Sequence, residues 1–188
     1  MCLPVRSLLS EAESWSFLSA NGSNPHDIDK AITFDRQALD LCPPGHSSRF
    51  APLVHLSNNL TARYRWFEEV RDLEEAILLD REVVPLFSQE HTKRPMVLQI
   101  LAKDLFTWYA LCAKMEDLDE PILLVHEALA LWPPWHLHRP VLLRNLAFYL
   151  YTRYSHLGGA EDLNEAILLT QEAQEFHQRV RSNHWASN

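Results

Sequence analysis

Asp72-Leu73-Glu74-Glu75-Ala76-Ile77 is one copy of a phrase that the chain writes four times. The others are Asp27-Ile28-Asp29-Lys30-Ala31-Ile32, Asp117-Leu118-Asp119-Glu120-Pro121-Ile122 and Asp162-Leu163-Asn164-Glu165-Ala166-Ile167. The copies begin at 27, 72, 117 and 162, a constant step of 45 residues. Three further series keep the same step: His46, His91 and His136; Arg49, Arg94 and Arg139; Tyr64, Tyr109 and Tyr154. One step shared by independent positions is the mark of a structural repeat, so the fold follows from what one 45-residue unit is.

Each unit reads as two helices. Leu53, Leu56 and Leu60 return as Leu98, Leu101 and Leu105 and again as Leu143, Leu146 and Leu150. Their i, i+3, i+7 spacing makes one apolar helix face and defines a first, A-type helix. The phrase opens the second, B-type helix. Its Asp can cap free N–H groups, and Asp72 with Glu75, Asp117 with Glu120 and Asp162 with Glu165 have the capping-box spacing. Pro43-Pro44-Gly45 and Pro133-Pro134 end B helices, because proline cannot continue the hydrogen-bonded ladder. The expected A helices are 50–66, 95–111 and 140–156, and the expected B helices 27–41, 72–86, 117–131 and 162–178. Pro85 should stop its B helix about a turn early, whereas Pro121 falls near a helix start, where it removes little. Residues 1–25 read as a worn A helix or cap, 26–178 as the repeat domain and 179–188 as a tail. The expected fold is all-α: a right-handed solenoid of antiparallel helix pairs, about three and a half repeats long.

Composition narrows the function classes. At 188 residues and 47% hydrophobic content the chain suits one folded domain. Its 25 acidic and 17 basic residues give a net charge of −8, which argues against binding a nucleic-acid backbone or an anionic membrane. Three scattered cysteines, Cys2, Cys42 and Cys112, fit reduced thiols in a cytoplasmic protein rather than a disulfide framework. Glu11 and Glu13 interrupt any signal-like apolar core near the N-terminus, and no apolar run reaches the length of a membrane span.

The helix pairs resemble the tetratricopeptide repeat. Leu53, Leu56, Ser57 and Leu60, and their counterparts 45 and 90 residues on, occupy the positions of that family's A-helix signature, with the small residue kept as Ser57, Ala102 and Ala147. On the B helix, Ala31, Ala38 and Pro43 match the family's Ala, Ala, Pro spacing, and Ala76, Ala128 with Pro133, and Ala166 with Ala173 match it in part. The departures are the 45-residue period against the usual 34, Leu for the A-helix Trp and Tyr, and Pro121 in place of Ala. The phrase and the Pro43–Arg49 connector resemble the long-period repeats of large fungal proteins that carry a caspase-like CHAT domain. The chain has no such protease domain, so the resemblance implies no activity for it, and a fragment and a stand-alone relative are equally open readings. HEAT repeats share the period and are the alternative fold.

Catalytic and metal constellations are weak. His46, His91 and His136 cannot share an ion, since stacked helices place equivalent residues about 8 to 10 Å apart whereas zinc needs nitrogens about 2 Å from itself. They read as loop residues bonding backbone, and His136-x-His138 has no acidic or thiol companion. Glu74-Glu75 and Glu161-Asp162 fit helix N-termini better than acid–base pairs. Cys42-Pro43 reads as packing, Cys112 and His126 lie on different helices, and Gly158-Gly159 reads as a turn. No enzyme activity, metal or cofactor is expected.

The resemblance implies instead a binding surface. In the tetratricopeptide architecture A helices line the concave face, which picks out the stripe beside the Leu seam: Val54, Asn58, Thr61 and Arg65; Gln99, Lys103, Phe106 and Ala110; Arg144, Phe148, Tyr151 and Ser155. Of these, Asn58, Arg65, Gln99, Lys103, Phe106, Arg144, Phe148 and Tyr151 are the candidate groove residues. Arg65, Lys103 and Arg144 would receive a protein or peptide with acidic groups or a C-terminal carboxylate. The competing reading makes them ordinary solvated residues and packing aromatics. The expected role is a non-catalytic interaction scaffold. The alternative is a self-associating repeat segment of a larger signalling protein, since no polar capping helix follows residue 178 and Trp185 lies in the tail.

Overall fold

A computed structural model describes the backbone at 3–20, 26–112 and 115–186, and side chains at 4–17, 26–112 and 117–179. Every regular element among these residues is helical: α1 Leu3–Ala20, α2 Asp27–Asp40, α3 Phe50–Phe67, α4 Val70–Val83, α5 Arg94–Cys112, α6 Asp119–Leu131, α7 Arg139–Leu157 and α8 Ala160–Ala186. Contacts divide the chain into two compact units, residues 1–88 and 89–188.

In the first unit α1 packs on α2, α3 lies over that pair, and α4 returns against α3. The Leu seam does the packing. Leu53, Leu56 and Leu60 are fully buried, with Ala12, Ile28, Ala31 and Ala76 among the core residues. Small side chains at 12, 31 and 76 let the helices approach, and each buried Leu contributes about 1.5 to 3 kcal/mol. In the second unit α5 pairs with α6, α7 lies over α6, and α8 pairs with α7. Leu98, Leu143, Leu146 and Leu150 take the same roles.

A helices end in two ways that share one geometry. Gly158 closes α7 in the left-handed region (φ 77°), its N–H donating to Tyr154 O at 2.7 Å, and Glu68 closes α3 in the same conformation (φ 56°) with an identical bond to Tyr64 O. Glycine adopts this shape freely, whereas Glu68 holds it against an unfavourable Cβ contact.

The B-helix starts depart from expectation. Asp72 and Asp162 are not N-caps: α4 and α8 begin two residues earlier, and both carboxylates face arginines of the preceding A helix. Arg63 donates Nε and Nη2 to Asp72 at 2.7 and 2.6 Å and Nη1 to Asp29 at 2.8 Å. Arg153 makes the matching bonds to Asp162 at 2.8 and 2.7 Å and to Asp119 at 2.6 Å. The guanidinium fork gives each carboxylate two charge-assisted bonds to a full positive charge where a cap gives bonds to backbone N–H alone, and the carboxylates still sit where the helix dipole favours them. These bonds raise the pKa of both arginines, against the opposing effect of burial, and Arg153 holds the Asp162 carboxyl below its ordinary range.

The two prolines act through sterics. Pro121 is the third residue of α6; in a helix begun earlier its ring would clash with the carbonyl four residues back, and 115–118 form a 3-10 turn with α6 starting at Asp119. Pro85 ends α4 at Val83 and leaves a 3-10 turn over Val84–Leu86, as its position predicts. α8 runs on to Ala186, into the segment read as a tail, because Gln178 stands where Pro43 and Pro133 terminate their helices.

Candidate functional site

The periodic polar residues are structural. The Nδ1 atoms of His46, His91 and His136 each accept the backbone N–H two residues on, at 3.1, 3.1 and 3.3 Å, which fixes the connector turn. His136 also stacks on Trp132, with centroids 4.2 Å apart. Arg49, Arg94 and Arg139 each donate Nε to a glutamate 33 residues on: Glu82, Glu127 and Glu172. Arg49 and Arg139 also reach back to carbonyls at the end of the preceding B helix, Cys42 O for Arg49, and Leu129 O and Trp132 O for Arg139. Cys42 is buried among Val5, Leu9 and Ala38, and His126 faces Glu165 at 3.5 Å.

One buried carboxyl stands apart. Asp35 is fully enclosed; one oxygen accepts Asn59 Nδ2 at 2.6 Å, and Ser16 Oγ donates to the oxygen of that same amide. Its other oxygen meets no donor among the described residues. Burial pushes the Asp35 pKa up to about 7, the Asn59 bond opposing and the charge of Glu13 assisting.

The candidate stripe is divided by these packing arrangements. Asn58 and Arg65 are exposed on α3, in the first unit, but Val54 and Thr61 of the same stripe are buried. In the second unit Gln99, Lys103 and Phe106 are half-buried. Phe106 stacks on Tyr149 of α7 at 4.3 Å and touches Phe148 at 5.2 Å, so it belongs to interhelical packing. Lys103 Nζ lies 3.2 Å from the buried Asp104. Arg144, Phe148 and Tyr151 are exposed on α7, and these three the fold does bring together.

They form one side of an open groove of about 520 Å³ between α7 and α8. The two-residue connection 158–159 makes these helices antiparallel neighbours. From α8 come an apolar floor, Leu163, Ala166 and Ile167, and a polar edge, Thr170, Gln171 and Gln174. A helices alone define the sequence stripe, so the α8 residues lay outside it. The repeat carried no signal for them: Ile167 is in register with Ile32 and Ile122, and only the structure shows it 48% exposed where each of those is 3%. Leu163 is likewise half-buried where Leu118 is fully buried. On the α5–α6 pair this surface lies under α7; on the α7–α8 pair no described residue covers it. Arg144, like Arg65 and Arg71, has no ion-pair partner among the described residues, whereas Arg36, Arg49, Arg63, Arg94, Arg139 and Arg153 are paired.

Among the described residues no three His, Cys, Asp or Glu side chains gather as a metal site, and no helix is long and apolar enough to cross a membrane.

No family model matches the chain, and no curated protein matches it. Solved structures do. Two crystal structures of a putative kinesin light chain from Podosopora anserina, with nearly identical TPR-like repeats, are similar at 20% identity. One, of a point variant, covers 97% of this chain and 96% of its own at a TM-score of 0.55. The other covers 100% and 99% at 0.54. The DHF38 filament is similar at 17% identity and a TM-score of 0.52, over 95% of this chain and 94% of that one. These likenesses show a fold: the chain is a TPR-like helical repeat of adjacent helix pairs.

Proposed function

We propose that the protein is a non-catalytic interaction scaffold that binds a peptide or protein on its A-helix surface, with the α7–α8 groove as its best-formed site. The observation that carries this reading is the joint exposure of Arg144, Phe148 and Tyr151 above an apolar floor, with the Arg144 charge left without a partner among the described residues. Aromatic side chains beside an arginine, set in a concave apolar surface, are the composition of interface hot spots. Asn58, Arg65, Gln99, Lys103 and Phe106 are proposed as lesser contributors. The partner carries acidic groups or a C-terminal carboxylate, which a guanidinium recognises through paired hydrogen bonds. A cytoplasmic location and kinship with the 45-residue repeats of fungal CHAT-domain proteins belong to the same reading, the latter supported by the Pro43–Arg49 connector.

A second reading is self-association. It draws on Phe148, Tyr151, Ile167 and Leu168, which are all more than 45% exposed on α7 and α8. A pull-down with the full chain, set against the Arg144→Ala, Phe148→Ala variant, tests the first. A partner lost with the variant is expected. Its retention would place binding elsewhere, and recovery of the chain alone would favour the second reading.

A further inference from the structure

Twice within its own units the fold shows what lies in such a groove, and how it is anchored. α3 runs antiparallel to α2: Arg49, at the N-terminal end of α3, bonds Cys42 O at the end of α2, and Arg63, fourteen residues on, bonds Asp29 at its start. α7 repeats this on α6, with Arg139 on Leu129 O and Trp132 O and Arg153 on Asp119. An A helix therefore settles on the preceding pair with an apolar stripe between two basic anchors.

The α7–α8 groove keeps the apolar seat and lacks both anchor points. Asn164 stands where Asp29 and Asp119 accept an arginine. α8 continues to Ala186, so the carbonyls at 174 and 177, the counterparts of Leu129 and Trp132, lie inside a helix and not at its end. A cation has been gained in the same place: Arg144 occupies the position of Val54 and Gln99. The groove has thus lost its attraction for a basic-ended helix and acquired one for an acidic helix.

A second copy stacked head to tail fits poorly. The stripe of α7 that meets the pair below is Leu142, Leu146 and Tyr149, all buried. The same positions of α1 are Ser7, Glu11 and Ser14, all exposed. A helix with that face offers no apolar surface to the α8 floor.

We propose that the α7–α8 groove seats an amphipathic helix of another protein, parallel to α7, with its apolar stripe on Leu163, Ile167, Phe148 and Tyr151 and a carboxylate of its first two turns against Arg144. This names the kind of partner for the site proposed above and rests on that reading. An acidic side chain near a helix N-terminus is favoured by the helix dipole as well as by the arginine. Helix-in-groove recognition of this type is read from anchors at i, i+3, i+4 and i+7.

Two fluorescein-labelled peptides test it. One has the sequence of residues 139–157; the other carries Val141→Glu and Asn145→Glu, on the flank along which Phe148 meets the neighbouring A helix. Each is titrated by anisotropy against the full chain and against its Arg144→Ala, Ile167→Glu and Leu78→Glu variants, with circular dichroism confirming that each variant is folded. The acidic peptide is expected to bind about tenfold more tightly than its parent, to lose about tenfold in affinity with Arg144→Ala, to lose binding with Ile167→Glu, and to be unaffected by Leu78→Glu. Equal affinity for the two peptides, no binding of either, or indifference to Ile167→Glu would overturn the proposal. So would a concentration-dependent dimer in sedimentation that Ile167→Glu abolishes, since the groove would then hold a second copy. If neither peptide binds while the Arg144→Ala, Phe148→Ala variant still loses its partner in the pull-down, the scaffold reading stands and the helical occupant falls.

Discussion

Replacing Asp35 by Asn should stabilise the protein, and by an amount that depends on pH. Asp35 is enclosed between α1, α2 and α3, with one oxygen on Asn59 and no donor for the other among the described residues. Its pKa of about 7 stands well above the 3.8 of an ordinary aspartate. The folded state therefore holds the proton more tightly than the unfolded chain, so stability falls as pH rises from about 4 to about 7 and is level above that. At about 1.4 kcal/mol for each tenfold change in proton affinity the ceiling is about 4 kcal/mol, and relaxation around the buried charge brings the expected loss to about 2 to 4 kcal/mol. Asn keeps the acceptor for Asn59 and cannot ionise. Urea denaturation of both proteins, followed by far-UV circular dichroism, should give nearly equal stabilities near pH 4 and a gap in favour of Asp35→Asn that opens with pH and reaches that size near pH 8. His55, whose pKa burial lowers, adds stability as pH rises through the ordinary histidine range. It does so in both proteins and cancels in the difference. A gap that does not change with pH, or a variant less stable at pH 8, would show that Asp35 is not held protonated by its burial.

Other perturbations separate local causes. Gly158→Ala should lose about 1 kcal/mol and Glu68→Gly should gain about 0.5 to 1 kcal/mol, opposite signs from one left-handed cap geometry, read from urea midpoints. Ile122→Ala should cost about 2 to 4 kcal/mol and Ile167→Ala less than about 1, although the two isoleucines are repeat equivalents, because only the first is buried. Arg153→Ala should cost about 1 to 2 kcal/mol at neutral pH, less at high salt. That difference should fade in acid as Asp162 protonates, since its depressed pKa contributes stability only above the ordinary carboxylate range and loses it as pH drops through the folded value.

The fold was legible because its determinants are local and repeated. Leu53, Leu56 and Leu60 and their copies specify an A helix wherever they occur, and Pro43, Pro85 and Pro133 end B helices through their own chemistry. The role of Asp72 was not legible. Cap and ion pair are alike in sequence, and the choice is made by Arg63, which three-dimensional packing alone brings alongside. The exposure of the stripe was not legible for a related reason. Helical periodicity gives an angle about one axis and says nothing of which neighbour occupies it, so Thr61 and Phe106 fell on the chosen face and were covered by packing. Ile167 was hidden by its likeness to Ile32 and Ile122. Equal residues at equal register differ in exposure only because one pair is covered and the other open.

Concentration of partner binding at the α7–α8 groove can be read from a photo-crosslinking phenylalanine placed at position 148 or, as a reference at least as exposed, at Phe17 or Trp135. After irradiation in native extract, a discrete crosslinked species is expected from position 148 that is absent from both references and is lost when Ile167→Glu is added. The same products from all three positions, or none from position 148, would contradict binding at the groove.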